Sequence, residues 1–350
     1  MFDQYLQLLQ NLIATPSLSK DEAKTAEWLK KFLVSKNVPF QQLHNNIWAH
    51  NKYFNSNLPT ILLNSHHDTV KPAATYTRNP YEASLSDGKL YGLGSNDAGG
   101  CLVALLATFL HFYERSDLSY NLIFVASAEE EISGKNGIAV VLSELGDIAV
   151  GIVGEPTLLQ MAVAEKGLMV IDGVAKGVAG HAAREEGESA IYKALTDIEL
   201  LKNLELEHVS TLLGHTKISV TQIEAGHQHN VVPDACKFVM DVRTNEFYPN
   251  KKLFDHLQKI TQSELTARSF RLNSSQIPLD HPLVKRGQEL GLSHYGSPTL
   301  SDQALMPFPT LKIGPGDSAR SHTADEFIYV REIEEGIELY TALLEGLELI

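Results

Sequence analysis

The chain has 350 residues, 43% of them apolar and 21% charged, which is enough for a large hydrophobic core and more than one domain. The formal net charge of −14 repels phosphate backbones and anionic lipid surfaces, so nucleic-acid binding is not expected. The two cysteines, Cys101 and Cys236, are too few for a disulfide framework or a cysteine-based zinc site. They favour a reducing, cytoplasmic location.

Two amphipathic helices are predicted at the beginning of the chain. Apolar side chains recur at helical intervals within residues 1–17, without the basic residues and unbroken apolar stretch of a signal peptide. A second helix is predicted over residues 21–34, with Ser19 or Asp21 as its N-cap. The longest apolar run, residues 102–112, is far shorter than the ~20 residues that span a bilayer, so no membrane association is expected.

Continuous apolar runs that break off at polar residues predict buried strands. These runs are Thr60–Leu63, Asn121–Ala126, Ala149–Val153 and Thr310–Ile313. Strands of this kind are usually buried on both faces of a mostly parallel sheet. Helical patterns lie between them at 98–113 and 136–144, and another follows at 331–349. The fold class is therefore predicted to be α/β, with helices flanking a mostly parallel sheet.

The middle of the chain has a different pattern. Three alternating segments, 168–175, 216–223 and 236–243, predict strands, and two segments, 189–204 and 249–265, predict helices. The region therefore predicts a compact α+β domain inserted between two parts of the first domain.

Metal-ligand residue types follow the predicted parallel strands. The strand ends carry His66 and Asp68, three glutamates at 129–131, then Glu155 and His322, and the carboxyl ends of parallel strands meet at one edge of a sheet. Residues two apart in extended chain share a face, so His66 and Asp68 point the same way. His66 is then a candidate metal ligand and Asp68 a candidate partner for its other ring nitrogen, although a His-x-Asp sequence is also typical of a surface turn.

The segment YGLGSNDAGG at 91–100 resembles a dinucleotide-binding loop only superficially. A loop of that kind beginning at Gly92 requires glycine at position 97, but Asp97 stands there, and its charge would repel a pyrophosphate. Two interpretations remain for Asp97 at the start of a predicted helix. It is either an ordinary N-cap or a carboxylate that bridges two cations.

The three successive glutamates at 129–131 end an apolar strand. If they are buried together, they repel one another unless cations or protons neutralise them; the alternative is an exposed acidic turn. The complete set of carboxylates and imidazoles lacks thiols and suits zinc, cobalt or manganese.

Five segments taken together resemble the M20 family of metallopeptidases and deacylases, and the match extends over nearly the whole chain. These segments are SHHDTV, YGLGSNDAGG, FVASAEEEISG, VGEPT and SHTADE. The resemblance implies a zinc-aminopeptidase-like catalytic domain built from residues 1–165 and 273–350. It also implies an inserted lid and dimerisation domain at 166–272, through which two copies form a homodimer.

The resemblance further implies a site for two divalent metal ions, most often zinc, with cobalt or manganese as alternatives. His66 and Glu155 would complete one metal position, Glu131 and His322 the other, and Asp97 would bridge the two.

In the same resemblance Asp68 supports the histidine that precedes it by two residues, and Glu130 is the general base. The family usually has one aspartate before two glutamates, whereas this chain has three glutamates. A shift of the alignment by one position would make Glu129 the base.

Other residues are implicated in substrate handling by the same resemblance. GVAGHAAREEGESAI contains His181, which would stabilise the oxyanion in a neighbouring subunit's active site. HNVVPDACKFVMDVR implicates Asn230 and Arg243 in gripping substrate, although a turn residue and a salt-bridged strand residue are the alternatives. GPGDSARSH suggests that Gly316 approaches the substrate carboxylate and that Arg320 pairs with it, unless Arg320 is an ordinary surface residue.

The reaction that the resemblance implies is hydrolysis of the N-acyl amide of a small amino acid, foremost N-acetylornithine to ornithine and acetate in arginine biosynthesis. Deacylation of N-acetylcitrulline, N-succinyl-ornithine or a related compound is an alternative, as is dipeptidase or carboxypeptidase activity. A serine hydrolase is disfavoured because the chain lacks a G-x-S-x-G segment. A cysteine amidase built on Cys101 is disfavoured because that residue opens an apolar helix.

Overall fold

A computed structural model describes residues 2–349. These residues form eight α-helices: α1 (Asp3–Ile13), α2 (Ala23–Ser35), α3 (Gly100–Phe112), α4 (Ile138–Val141), α5 (Ala190–Lys202), α6 (Asn250–Ile260), α7 (Pro282–Glu289) and α8 (Val330–Leu344). No helix within residues 2–349 combines the length and the apolar character needed to cross a membrane.

The strands of the first half of the described chain are β1 (Gln41–Leu43), β2 (Asn46–His50), β3 (Thr60–His66), β4 (Ser84–Ser86), β5 (Lys89–Tyr91), β6 (Asn121–Ser127), β7 (Val150–Val153), β8 (Met161–Glu165) and β9 (Gly167–Lys176). Those of the second half are β10 (Gly180–His181), β11 (Lys217–Ala225), β12 (Val231–Val232), β13 (Ala235–Thr244), β14 (Glu264–Ala267), β15 (Ser275–Gln276), β16 (His294–Ser297), β17 (Thr310–Lys312) and β18 (Phe327–Tyr329).

The chain divides into two compact units. The first comprises the residues up to Val163, together with Gln276–Tyr295 and the residues from Ser301 onward; the second comprises Ala164–Ser275 and Gly296–Leu300. The functions of lid and dimerisation domain stay predictions for the second unit.

The largest sheet has nine strands in the order β1-β2-β6-β3-β7-β17-β8-β15, with β16 also paired to β8. Its centre, β6-β3-β7-β17, is parallel, whereas β2 joins β6, and β17 joins β8, in antiparallel fashion. Every residue of β3, β6 and β7 is buried, as expected for parallel strands covered on both faces. The predicted α/β class with a mostly parallel sheet is confirmed.

Helix α3 is apolar on nearly all sides and almost entirely buried. It packs against β3 and α8, and a helix apolar all round is stable only where protein surrounds it. Because α3 begins at Gly100, directly after the Asp97 segment, its burial fixes that segment at the carboxyl edge of the sheet.

The second unit contains a four-stranded antiparallel sheet in the order β11-β13-β9-β14. Burial alternates residue by residue along β9 and β13, the period of a sheet with one covered face. Helices α5 and α6 cover that face, so that residues such as Met240, Phe238 and Leu257 form a separate core. A two-stranded ladder, β10 with β12, lies in the same unit.

The helix predicted over 249–265 is too long. It ends at Ile260, and the chain then forms strand β14. The buried carboxylate of Asp197 accepts hydrogen bonds from the amides of Gln262 and Ser263 and from the Ser263 hydroxyl. These bonds stabilise the turn in place of another helical turn, and the contact with Gln262 joins residues 65 positions apart in sequence.

The N-cap predicted for the second helix is also wrong. Helix α2 begins at Ala23 after Glu22, and the Ser19 hydroxyl instead donates to the carboxylate of Asp68. Ser19 is suited to capping a helix, but its hydroxyl is bonded to Asp68, a residue distant in sequence.

We expect Tyr340→Phe to destabilise the first unit. The fully buried Tyr340 hydroxyl donates to the carbonyl of Ile313, directly after β17, at 2.6 Å. Its removal leaves a buried carbonyl unsatisfied, which costs about 1–3 kcal/mol. Urea unfolding followed by tryptophan fluorescence measures this, with Tyr53→Phe, at a half-exposed position, as the matched control. Equal midpoints for the two variants would contradict the expectation.

Candidate metal centre

Six side chains of types that bind metals lie together near the carboxyl ends of the parallel strands. His66 ends β3, the glutamates 130 and 131 follow β6, and Glu155 follows β7. Asp97 lies in an irregular turn before α3, and His322 lies in the loop between β17 and β18. All belong to the first unit.

Asp97 lies between the two histidines. Its Oδ1 is 3.3 Å from His66 Nε2, and its Oδ2 is 3.5 Å from His322 Nε2. On the His322 side, Glu131 Oε2 is 2.9 Å from the same Nε2. One carboxylate therefore presents an oxygen to each imidazole, which is the arrangement of a bridging ligand.

Two further carboxylates surround His66. Its Nε2 lies 3.9 Å from Glu130 Oε2 and 3.8 Å from Glu155 Oε1. Potential ligand atoms of His66, Glu130 and Glu155 lie within 4.8 Å of one another, and so do those of His66, Asp97 and Glu131.

The hydrogen bonds of His66 determine which ring nitrogen faces the cluster. Its Nδ1 lies 3.0 Å from the backbone carbonyl of Asp68 and 3.5 Å from Asp68 Oδ1. Because both of these atoms only accept, Nδ1 carries a proton. In the neutral ring Nε2 then has its lone pair directed at the carboxylates, as a metal-binding imidazole requires.

The electrostatics of the cluster show an excess of negative charge. Burial raises the pKa of Glu130 well above its usual range, and Glu155 and Asp302 add to the effect. Burial and the neighbouring Asp97 raise the pKa of Glu155 to about 8. Burial alone would lower the pKa of His66, but Glu130, Asp68 and Asp97 outweigh it and hold that pKa well above its usual value.

Neighbouring carboxylates also raise the pKa of His322. Its hydrogen bond to Glu131 raises its pKa to about 9, and Asp97 contributes to the same shift. Burial would raise the pKa of Asp97, but its hydrogen bonds to His66 and Ser321 and the charges of His66 and His322 together outweigh burial and hold that pKa below its usual value.

The donor set fits divalent cations. Four carboxylates share a partly buried cluster with two imidazoles, and a like-charged group of this size is stable only when positive charge neutralises it. Oxygen and imidazole donors without a thiol suit zinc, cobalt or manganese.

Glu129 and Glu130 lie in different environments. The Glu129 carboxylate accepts hydrogen bonds from the backbone amide and side-chain amide of Asn136, at 3.2 and 3.0 Å, whereas Glu130 faces His66. Glu129 has a left-handed backbone conformation, with φ of 55°, and the chain changes direction there. The turn thus separates Glu129 from the two glutamates that follow it.

Asp68 holds the turn at residues 129–131 through hydrogen bonds to its backbone. Its carboxylate oxygens accept from the backbone amides of Glu130 and Glu131 at 3.0 and 3.2 Å, and from the Ser19 hydroxyl at 2.7 Å. These bonds and the nearby His66 outweigh the effect of burial, so that the pKa of Asp68 lies below its usual value. Asp68 therefore contacts the candidate ligand His66 and the backbone amides of Glu130 and Glu131.

Gly316 and Arg320 lie on the loop before His322. Gly316 has φ of +91°, and a Cβ at that position would lie 2.5 Å from Asn96 Oδ1, so this position requires glycine. The Arg320 guanidinium pairs with Glu332 at 2.7 Å and faces the ring of Phe327. Arg320 is therefore not among the groups around His66, and its binding of substrate stays a prediction.

The residues predicted in the insert belong to the second unit. His181 and Asn230 are brought side by side, because His181 lies opposite Val231 in the β10–β12 ladder and the adjoining amide of Ala182 donates to the Asn230 carbonyl. Both side chains are exposed. Arg243 pairs with Asp241 at 2.8 Å on β13. The roles proposed for these residues in substrate handling stay predictions.

Sequence reasoning missed the groups that hold the Asp97 turn. Asn96 is fully buried, and its side chain exchanges hydrogen bonds with the backbone of Asp317. Glu326 is 2% exposed and accepts from the amides of Asn96 and Asp97. Asn96 lies in the segment YGLGSNDAGG and Glu326 in the segment SHTADE. Only the structure shows that these two residues contact one another.

Comparison with known proteins gives an independent result. The chain is 29% identical over 381 residues to an acetylornithine deacetylase of Proteus mirabilis (strain HI4320), covering 98% of this chain and 96% of the relative. It is 27% identical over 380 residues to a probable carboxypeptidase of Paracoccidioides lutzii, covering 97% and 85%.

Solved structures share the fold. A tripeptidase from Staphylococcus aureus has a TM-score of 0.78 at 20% identity, with 99% of this chain and 98% of that chain covered. The YXEP protein of Bacillus subtilis, described as a dinuclear metal binding peptidase from the M20 family, has a TM-score of 0.76 at 17% identity, with 100% and 99% covered. The model of peptidase family M20/M25/M40 matches residues 62–346. With the candidate ligands lying inside that match, the chain belongs to peptidase family M20/M25/M40.

Proposed function

We propose that the protein is a two-metal amidohydrolase that removes the acyl group from an N-acyl amino acid, foremost N-acetylornithine. The observation that carries this proposal is the Asp97 carboxylate, with one oxygen facing each of two histidines. The relative of 29% identity described as an acetylornithine deacetylase supports the choice of substrate. Arginine biosynthesis is the pathway that this substrate would serve.

The proposed ligands divide into two sets around Asp97. His66 and Glu155 would hold one ion, and Glu131 and His322 the other. We propose zinc as the native metal because imidazole and carboxylate donors suit it, with cobalt and manganese as alternatives. The chemistry that such ions supply when bound is polarisation of a water molecule and of the acyl carbonyl.

Glu130 is the proposed general base. It is a partly buried carboxylate beside the cluster, 3.9 Å from His66 Nε2, and burial raises its pKa above its usual range. A positioned carboxylate of raised pKa is suited to general acid–base catalysis. Glu130 takes a proton from the attacking water as the oxygen bonds to the acyl carbon. It then gives that proton to the amide nitrogen as the carbon–nitrogen bond breaks, which leaves a carboxylate and a free amine.

Asp68 is proposed to support this step without contacting substrate. It holds the backbone of the turn that carries Glu130 and Glu131, and it lies against the Nδ1 of His66. His181 is proposed as a donor to the oxyanion, and Asn230, Arg243, Gly316 and Arg320 as candidates for gripping substrate. A cytoplasmic location stays a prediction from the cysteine content.

Homodimerisation through the second unit is part of the proposal. Helix α5 exposes 74% of Tyr192 and 48% of Leu195, and strand β11, at the edge of its sheet, exposes 54% of Ile223. Exposed apolar side chains beside an unpaired sheet edge are typical of a surface that another chain covers.

Glu130→Gln is expected to lower kcat by about 10²–10⁴, because the amide cannot carry the proton, while metal content stays at the wild-type level. Glu129→Gln is the matched control, since its side chain contacts Asn136 instead of the cluster, and it is expected to retain turnover. Steady-state kinetics and elemental analysis on both variants decide the matter. The reverse result would assign the base to Glu129.

A substrate panel separates the deacylase from its alternatives. N-acetylornithine is expected to give the highest kcat/KM among N-acetylornithine, N-acetylcitrulline, N-succinyl-ornithine, N-succinyl-diaminopimelate and simple dipeptides, each assayed with zinc and with cobalt. Release of free amine measures all of them on one scale. A preference for dipeptides would contradict the deacylase assignment and favour the carboxypeptidase-like relatives.

Mixing two inactive variants tests whether His181 acts across a dimer. Glu130→Gln and His181→Ala are each expected to be nearly inactive, the second because loss of one oxyanion donor costs about 10²–10³ in rate. After mixing and subunit exchange, a hybrid dimer has one site with an intact Glu130 and the partner's intact His181, so activity is expected to return. No recovery of activity from a dimeric mixture would contradict the exchange of His181.

Tyr192→Glu is expected to yield monomers, as measured by light scattering.

A further inference from the structure

Glu326 is a buried carboxylate that contacts backbone instead of a side-chain cation. It lies four residues after His322 and is 2% exposed. Its Oε1 accepts from the amide of Asn96 at 2.8 Å and from that of Asp97 at 3.0 Å. Its backbone carbonyl accepts from the amide of Gly92 at 2.9 Å. Glu326 thus accepts hydrogen bonds from three amides of a single turn, those of Gly92, Asn96 and Asp97.

The turn that Glu326 binds does not follow a regular secondary structure. Gly92 and Gly94 have φ of +139° and +78°, and Asp97 and Ala98 have non-helical dihedral angles. Amides in such a segment lack the ladder partners that a helix or sheet would provide. The side chain of Glu326 supplies the acceptor, and so it determines where the backbone of Asp97 lies.

A second contact joins the same two segments on the other side of His322. The Asn96 side chain donates to the carbonyl of Asp317 at 3.1 Å and accepts from its amide at 3.0 Å, and it lies 3.3 Å from the Ser321 hydroxyl. The Asp97 turn is therefore attached to the His322 loop both before and after His322. Between these attachments His322 has a left-handed φ of 59°.

We propose that Glu326 is a positioning residue for the metal centre, which holds the Asp97 carboxylate between His66 and His322 through the backbone amides of the Asp97 turn. Its proposed role is exerted through these amides and not through contact with substrate or metal. This inference rests on the proposed function, because it assigns to Glu326 an effect on the affinity for the two ions.

The contacts explain why the effect falls on metal binding in particular. Asp97 is the one candidate ligand shared by both proposed ion positions, and its two oxygens lie 3.3 and 3.5 Å from the imidazoles. A turn that is free to shift moves both oxygens at once. Loss of a group that orients a metal ligand typically weakens metal affinity about 10–100-fold.

The experiment compares zinc affinity across variants at position 326, by competition with a chromophoric chelator and without any assay of turnover. Glu326→Ala is expected to weaken zinc binding about 10–100-fold. Glu326→Gln keeps an oxygen that accepts from the same amides and is expected to restore most of the affinity. Glu326→Asp, whose carboxylate is one methylene shorter, serves if the alanine variant does not fold, and it is expected to weaken binding as well. With cobalt in place of zinc, the visible absorption band is expected to shift in the alanine and aspartate variants.

Asp325→Ala is the matched control. Asp325 is the preceding residue, and its carboxylate also accepts from backbone amides, those of Thr77 and Arg78, instead of those of the Asp97 turn. It is expected to lower the unfolding midpoint of the metal-free protein while zinc affinity stays at the wild-type level. Equal losses of affinity in Asp325→Ala and Glu326→Ala would reduce Glu326 to a general stabiliser and overturn the inference.

Two further results would also be decisive. Folded Glu326→Ala or Glu326→Asp with wild-type zinc affinity would overturn the inference and leave the proposed function intact. Wild-type protein that binds no zinc or cobalt would overturn the proposed function, and the inference with it.

Discussion

Repulsion among carboxylates at one edge of the central sheet is the constraint on which the rest of the structure depends. Asp97, Glu130, Glu131 and Glu155 converge there around the imidazoles of His66 and His322. Burial makes each charge costly, and mutual repulsion adds to the cost. A fold that keeps such a group together must hold each side chain firmly, and the same convergence makes the edge attractive to divalent cations.

The fold meets this constraint with backbone amides directed at buried carboxylates. Asp68 accepts from the amides of the turn after β6, and Glu326 accepts from those of the Asp97 turn. Glu22 accepts from the amide of Glu129 at 3.1 Å and from the Asn45 side chain at 2.7 Å. None of these three residues is a candidate metal ligand. Each of them, however, fixes a loop that carries a candidate ligand or lies next to one. Charge-assisted hydrogen bonds therefore determine the loop geometry at the site.

Much of the site was predictable from sequence because parallel strands impose a simple rule. A buried apolar run followed by a polar residue locates a strand end, and strand ends share an edge, so the sequence alone locates His66, Glu130 and Glu155. The same rule predicted His322 after the run that ends at Ile313, whereas the choice of a bridging role for Asp97 over that of a helix N-cap depended on resemblance to a family. The outer partners were not predictable, since the contact of Glu326 with Asn96 depends on an irregular turn 230 positions away in sequence.

The same limit explains the errors elsewhere. The sequence pattern predicted a helix through 265, but Asp197 stabilises a turn at Gln262 and Ser263 instead. Ser19 is a residue type that often caps a helix N-terminus, but its hydroxyl donates to Asp68 instead. In each case a distant polar group outweighs a local preference, and local preferences are all that a single sequence displays.

The acidic edge is proposed to hold two metal ions, one on each side of Asp97. Anomalous diffraction from crystals of the protein grown with zinc or cobalt tests it most directly. Two peaks are expected, one beside His66 and Glu155 and the other beside Glu131 and His322, each with an Asp97 oxygen as a further ligand. A single peak, or peaks remote from Asp97, would contradict it.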